Sequence, residues 1–148
     1  MKRKFCILLF FIFWGIQGHS QYVYYGYPTT KTPMRKGNII ILNIPIFSLN
    51  GGYNFVKLEE FDNLVELLEI NDTNTLRIEV NNFFGSDSSV CEFISNLLCN
   101  NIKEILTSKT PLKNYYIISN GCNNPIFCSE KKDVYYNTRN TRMEIFIE

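Results

Sequence analysis

Four cysteines, a scatter of carboxylates and two arginines near the end of the chain are the residues that could do chemistry here. Cys91, Cys99, Cys122 and Cys128 can pair as disulfides or hold a metal. The single histidine, His19, stands at the end of an apolar opening segment. That segment reads MKRKFCILLFFIFWGIQGHSQ. It has a basic start at Lys2, Arg3 and Lys4, an apolar run over 5–16, and small residues Gly18 and Ser20. The run is short for a bilayer span, and the layout is that of a secretory signal peptide cut before Gln21. Cys6 precedes the apolar run, which argues against a lipid anchor.

Cleavage there removes His19 with the leader. Histidine-dependent catalytic triads and histidine metal sites are then excluded. Carboxylates alone remain as candidate acids and bases: Glu59, Glu60, Asp87 and Asp133. Glu59 and Glu60 are adjacent on an expected helix and point apart, and nothing pairs the others. The expectation is no enzyme and no cofactor. Metal is not expected either, since the cysteine spacings, seven and five intervening residues, lack the C-x2-C pairs of zinc sites. Losing Lys2, Arg3 and Lys4 takes the formal charge from +1 to −2. A slightly acidic chain is a poor partner for a nucleic-acid backbone.

The elements that must position these residues follow from the pattern. Residues 21–37 are rich in tyrosine, proline and threonine and read as an extended tether. Residues 38–47, NIIILNIPIF, read as a strand ending or lying at an edge near Pro45, with a loop over 48–54. Leu58, Phe61, Leu64, Val65 and Leu68 fall at helical spacing, with Asn54 as a plausible N-cap. Leu76, Ile78 and Val80 alternate as a strand. Ile94, Leu97, Leu98, Ile102, Ile105 and Leu106 form one face of a second helix, capped at Ser86 or Asp87. A third strand covers 114–119, a long polar loop follows, and the last strand starts near Arg142. No transmembrane segment is expected after leader cleavage.

This order, and a set of short motifs, resembles the OmpA-like domain that holds peptidoglycan in the envelope of Gram-negative bacteria. Gly85-Ser86 matches the family's Gly-Ser before its second helix. Ile94-Ser95-Asn96-Leu97-Leu98-Cys99 lines up with its Leu-Ser-x-x-Arg-Ala, and Gly121-Cys122-Asn123-Asn124-Pro125 with its Gly-x-x-x-Pro turn. Asn140-Thr141-Arg142-Met143-Glu144-Ile145 resembles its terminal Asn-Arg-Arg-Val-Glu-Ile. The resemblance spans 38–148. It implies an α+β sandwich of order β-α-β-α-β-β, with two helices on one side of a mixed four-stranded sheet. It also implies a non-enzymatic module, periplasmic or outer-membrane-associated, whose partner is peptidoglycan or an envelope protein.

The departures bear on binding. The family's aspartate and helix arginine grip the ammonium and carboxylate groups of diaminopimelate, a charge-assisted contact. Here Asn81-Asn82-Phe83-Phe84 stands where the acid belongs, and Leu98 replaces the arginine. The residues left to line a ligand groove are Asn140, Arg142, Arg139, Ser95 and Asn82. Arg142 is either an anion site for a carboxylate or a solvated strand residue beside a turn set by Asn140. Ser95 is either a ligand residue or a bond to nearby backbone. The cysteines keep several pairings open. Cys122 and Cys128 can close a local loop, as in some relatives, contributing on the order of 2–3 kcal/mol less any strain. Cys91 and Cys99, if both helical, are about 12 Å apart and out of reach. A cross-pairing between helix and loop is the alternative, and Cys99 also fits as a small buried residue.

Overall fold

The computed structural model describes residues 21–29, 31–43, 46–49, 52–55, 58–126 and 134–148. Residues 1–20, read as a leader, lie outside the described residues, as do Pro45, Cys128 and Asp133. In chain order the elements are β1 (Val23–Tyr25), β2 (Ile39–Asn43), β3 (Ile46–Leu49), β4 (Gly52–Phe55), α1 (Leu58–Ile70), β5 (Leu76–Asn81), α2 (Ser88–Lys109), β6 (Tyr115–Gly121), α3 (Val134–Asn140) and β7 (Arg142–Ile147).

The main sheet has the order β1-β2-β7-β5-β6. β7 is antiparallel to both β2 and β5, while β5 and β6 run parallel. The last strand is thus central, and its alternation is the sheet's two faces made visible. Met143, Ile145 and Ile147 are buried toward the helices, whereas Glu144 and Phe146 are half-buried on the other face. Ile40, Leu42, Leu76, Ile78 and Val80 join them from neighbouring strands.

Both long helices cover that inner face. α1 contributes Phe61, Leu64, Leu67 and Leu68 to the core, and α2 contributes Ile94, Leu98, Ile102 and Leu106. Each is spaced at three or four residues, so one stripe meets the sheet. Every fully buried leucine or isoleucine contributes roughly 1.5–3 kcal/mol. α2 starts where Asp87, in extended conformation, caps its first turn by accepting from the Ser89 and Val90 amides. It stops at Thr110, before Pro111, which cannot continue the amide ladder. Lys109 joins the helices through a 2.6 Å contact with Asp62. This is the mixed α+β sandwich that the resemblance implies.

Three elements differ from the sequence-based expectation. The sheet has five strands instead of four, because the segment read as a tether supplies β1, parallel to β2. The connection back to β2 is also packed. Met34 is buried, its amide donates to Asn71 Oδ1 at 2.7 Å, and Asn74 Nδ2 donates to its carbonyl at 3.3 Å. Aromatic β1 residues pair well on a pleated sheet even in a segment dotted with glycine and proline. Second, Ser48, Leu49 and Gly52–Asn54, read as part of a loop, belong to the hairpin β3–β4. Asn54 lies in β4, so it does not cap α1. Third, the long polar loop contains α3, a seven-residue helix too short to reveal a period.

Candidate functional site

At one end of the sheet the chain gathers three connections: the loop from β5 to α2, the segment after β6, and α3. Asn140-Thr141-Arg142 ties them together. Asn140 Oδ1 accepts from the Ile126 amide at 2.8 Å, and its Nδ2 donates to the Tyr136 carbonyl. Thr141 Oγ1 accepts from the Phe83 amide at 3.0 Å. The Arg142 guanidinium donates to the carbonyls of Asn140 at 2.8 Å and Asn124 at 2.7 Å, and pairs with the Glu144 carboxylate. Polar residues precede the last strand because three loops need hydrogen-bond partners at that point.

These contacts correct the expectation for Arg142. Its side chain is 1% exposed, so it is not a solvated strand residue, and its donors are committed to the protein. Asn140 does set the turn. Ser95 is fully buried and donates to the Val80 carbonyl at 2.7 Å, locking α2 to β5. Asn82 is fully buried as well, accepting from the Phe84 amide and donating to the Cys91 carbonyl. Arg139 is exposed in the last turn of α3. Leu98 lies in the core at zero exposure, and no groove reaches it. The five residues expected around a ligand thus cluster at one end of the fold without lining its cavity.

The cavity itself, about 450 Å³, lies beside them. One wall is Gly85, Ser86, Asp87, Ser88 and Cys91, at the start of α2. The other is Cys122 and Pro125, with Tyr136 and Asn137 of α3, and Phe83 completes the lining. Phe83 and Tyr136 meet edge to face, with centroids 5.8 Å apart. Gly85 is required by contact: a Cβ there would lie 2.7 Å from Cys91 Sγ and 2.8 Å from the Cys91 amide nitrogen. Sequence reasoning missed Tyr136 and Asn137, because nothing in the polar loop announced a helix.

Its electrostatics are one-sided. Hydrogen bonds from the Ser89 hydroxyl, the Val90 amide and the Ser86 hydroxyl hold the Asp87 carboxyl below its ordinary value of 3.8. It is therefore ionised at neutral pH. Asp87 Oδ1 takes the Ser89 and Val90 amides, and Oδ2 takes the Ser86 hydroxyl at 3.1 Å. Among the described residues no lysine or arginine lines the cavity. The described lining suits a neutral polar or cationic group backed by an aromatic face. Among the described residues no group of three or more histidine, cysteine, aspartate or glutamate side chains could hold a metal. No described helix is long and apolar enough to cross a membrane.

Solved structures share this fold. The periplasmic domain of Helicobacter pylori MotB, residues 90–256, superposes with a TM-score of 0.50 at 14% identity, over 74% of this chain and 72% of that one. A longer fragment of the same domain, residues 78–256, gives 0.45 at 13% identity, over 62% of this chain and 60% of that one. The chain therefore spans less than two thirds of that longer fragment. No family model and no curated protein matches the sequence.

Proposed function

We propose that the chain is an exported, non-enzymatic module of the bacterial cell envelope that associates with peptidoglycan through an altered site. Residues 1–20 serve as the leader in this proposal, and the folded part works in the periplasm or at the outer membrane. The observation that carries it is the convergence of two weak motif matches. The Gly-Ser segment and the Gly-x-x-x-Pro segment, distant in sequence, form opposite walls of one cavity. The fold shared with a periplasmic domain of MotB supports the setting.

The chemistry differs from the family's grip. Asp87 supplies an anion for an ammonium group, in place of the acid missing from Asn81-Asn82-Phe83-Phe84. Among the described residues no lining arginine waits for the ligand's carboxylate, because Leu98 is core and Arg142 is committed to backbone carbonyls. Losing one of two charge-assisted contacts leaves weaker, salt-sensitive binding. A second reading, a protein-interaction module without wall binding, is favoured by the aromatic pair Phe83 and Tyr136 in the lining.

Co-sedimentation of residues 21–148 with isolated peptidoglycan tests the choice, with Asp87→Asn beside it. Asparagine still caps a helix, so the substitution removes charge and keeps the fold. Weak pelleting that Asp87→Asn reduces several-fold is expected. Absence of pelleting at every concentration and low salt would overturn the wall-binding reading in favour of a protein partner.

A further inference from the structure

We propose that Cys91 and Cys122 form an intramolecular disulfide that ties the segment after β6 to the first turn of α2, across the cavity. Both thiols are free in this structure, and Cys122 is close enough to act on the protonation of Cys91. Both line the same cavity. Their backbones are held together independently of the sulfurs. The Asn82 amide donates to the Gly121 carbonyl at 2.7 Å, and the Asn82 side chain reaches the Cys91 carbonyl at 3.4 Å. Gly121, next to Cys122, sits so close to α2 that an added Cβ would lie 3.4 Å from Glu92 Cα. Gly85 presses on Cys91 from the other side. The fold thus brings the two cysteines together before any covalent bond forms.

The alternatives within the described residues are poor. Cys99 packs half-buried against the core and lies eight residues along α2 from Cys91, which at the helical rise is about 12 Å. Bond formation requires an oxidant, here a disulfide of the glutathione or protein-thiol-oxidase class. Half-exposed Cys122 attacks the oxidant's disulfide as thiolate and releases one thiol. Cys91 then gives up its proton, displaces the second thiol and closes the Cys91–Cys122 bond. The two electrons lost by the cysteines reduce the oxidant to two thiols. Burial, with the neighbouring Cys122 thiol, pushes Cys91 up to about 11, so it remains protonated until that second step.

The consequence is that the two cavity walls are covalently fixed only in an oxidising compartment. This does not depend on what the cavity binds, and its test is separate from peptidoglycan pelleting. The full chain, recovered from an oxidising host compartment, would be alkylated without reduction and digested with trypsin and chymotrypsin. Cleavage after Phe93, Lys103 and Phe127 separates Cys91, Cys99, Cys122 and Cys128 into different peptides. A Cys91–Cys122 linked peptide is expected, absent after reduction. The melting temperature should fall by roughly 10 °C on reduction, the scale for opening a loop of this length. Cys91→Ser, Cys122→Ser and the double variant should each melt near the reduced wild type, without additive losses. A Cys122–Cys128 or Cys91–Cys99 peptide, or free thiols at Cys91 and Cys122 after oxidation, would overturn the proposal. Mapping on the wild type decides the matter even where a variant fails to fold.

Discussion

The two central antiparallel strands carry the same pair twice. On β5 Arg77 is followed two residues later by Glu79, and on β7 Arg142 by Glu144. All four side chains belong to the sheet face opposite the helices, and register places Glu79 directly across from Glu144. At the open end, Arg77 pairs with Glu79, reaches Glu148 at 2.7 Å and stacks 3.9 Å over the Phe146 ring. It keeps 26% exposure. At the cavity end Arg142 keeps 1%, and bonds two backbone carbonyls besides its glutamate. Identical chemistry therefore does different jobs. An exposed pair is screened by water, while a buried one satisfies groups that water cannot reach.

The most severe way to break the comparison is a third arginine with no carboxylate beside it. Leu98→Arg introduces the arginine of the OmpA-like helix motif, yet Leu98 is in the core, so no folded protein is expected by circular dichroism. Next comes Arg142→Ala. It orphans two carbonyls and leaves Glu144 facing Glu79 uncompensated, with an expected loss of about 3–5 kcal/mol in urea unfolding. Arg142→Lys should recover only part of this, since an ammonium cannot reproduce the planar fork. Arg77→Ala should lose only about 0–1 kcal/mol, plus whatever packing its stem supplied. A result for Arg77 equal to that for Arg142 would remove burial as the deciding variable.

Asn81 sharpens the contrast with the opposite sign. It pairs with Arg142 in the ladder and is fully buried, and neither atom of its amide has a partner among the described residues. Asn81→Val should therefore be neutral or stabilise by about 1 kcal/mol, because it strands no bonded group. The smallest expected effect is pH dependence at the exposed carboxylates. Hydrogen bonds from Arg77 and Tyr116 hold Glu148 below its ordinary 4.5, and Asp87 is held below 3.8 by its cap partners. Depressed folded values mean that this stability is complete above pH 4.5. It fades as pH falls through the two lowered values. Glu148→Gln and Asp87→Asn should each flatten the melting-temperature decline measured between pH 5 and pH 2.

Periodicity made the sandwich legible. Leu64, Leu68, Ile94, Leu98, Ile102 and Leu106 announced two helices, and the alternation at Met143, Ile145 and Ile147 announced the last strand, because each pattern has the period of its element. Asp87 as a cap was readable for the same local reason. β1 and α3 were not. Each is only a turn or two of structure, held by distant partners such as Ile39–Ile41 for β1 and Phe83 for Tyr136. The role of Arg142 was also hidden. A sequence shows that an arginine stands before a strand, and it does not show that two carbonyls converge on it from separate loops.

The strand β1 bears on where this domain begins. A sequence-guided boundary at residue 38 would cut away a pairing strand and the buried Met34 together. It would leave Ile39–Asn43 as a bare edge, a template onto which another chain can add in register. Anything fused ahead of Tyr22 must also depart from that edge, at the opposite side of the sheet from β6. The first residues of the described fold are therefore the ones that seal the sheet.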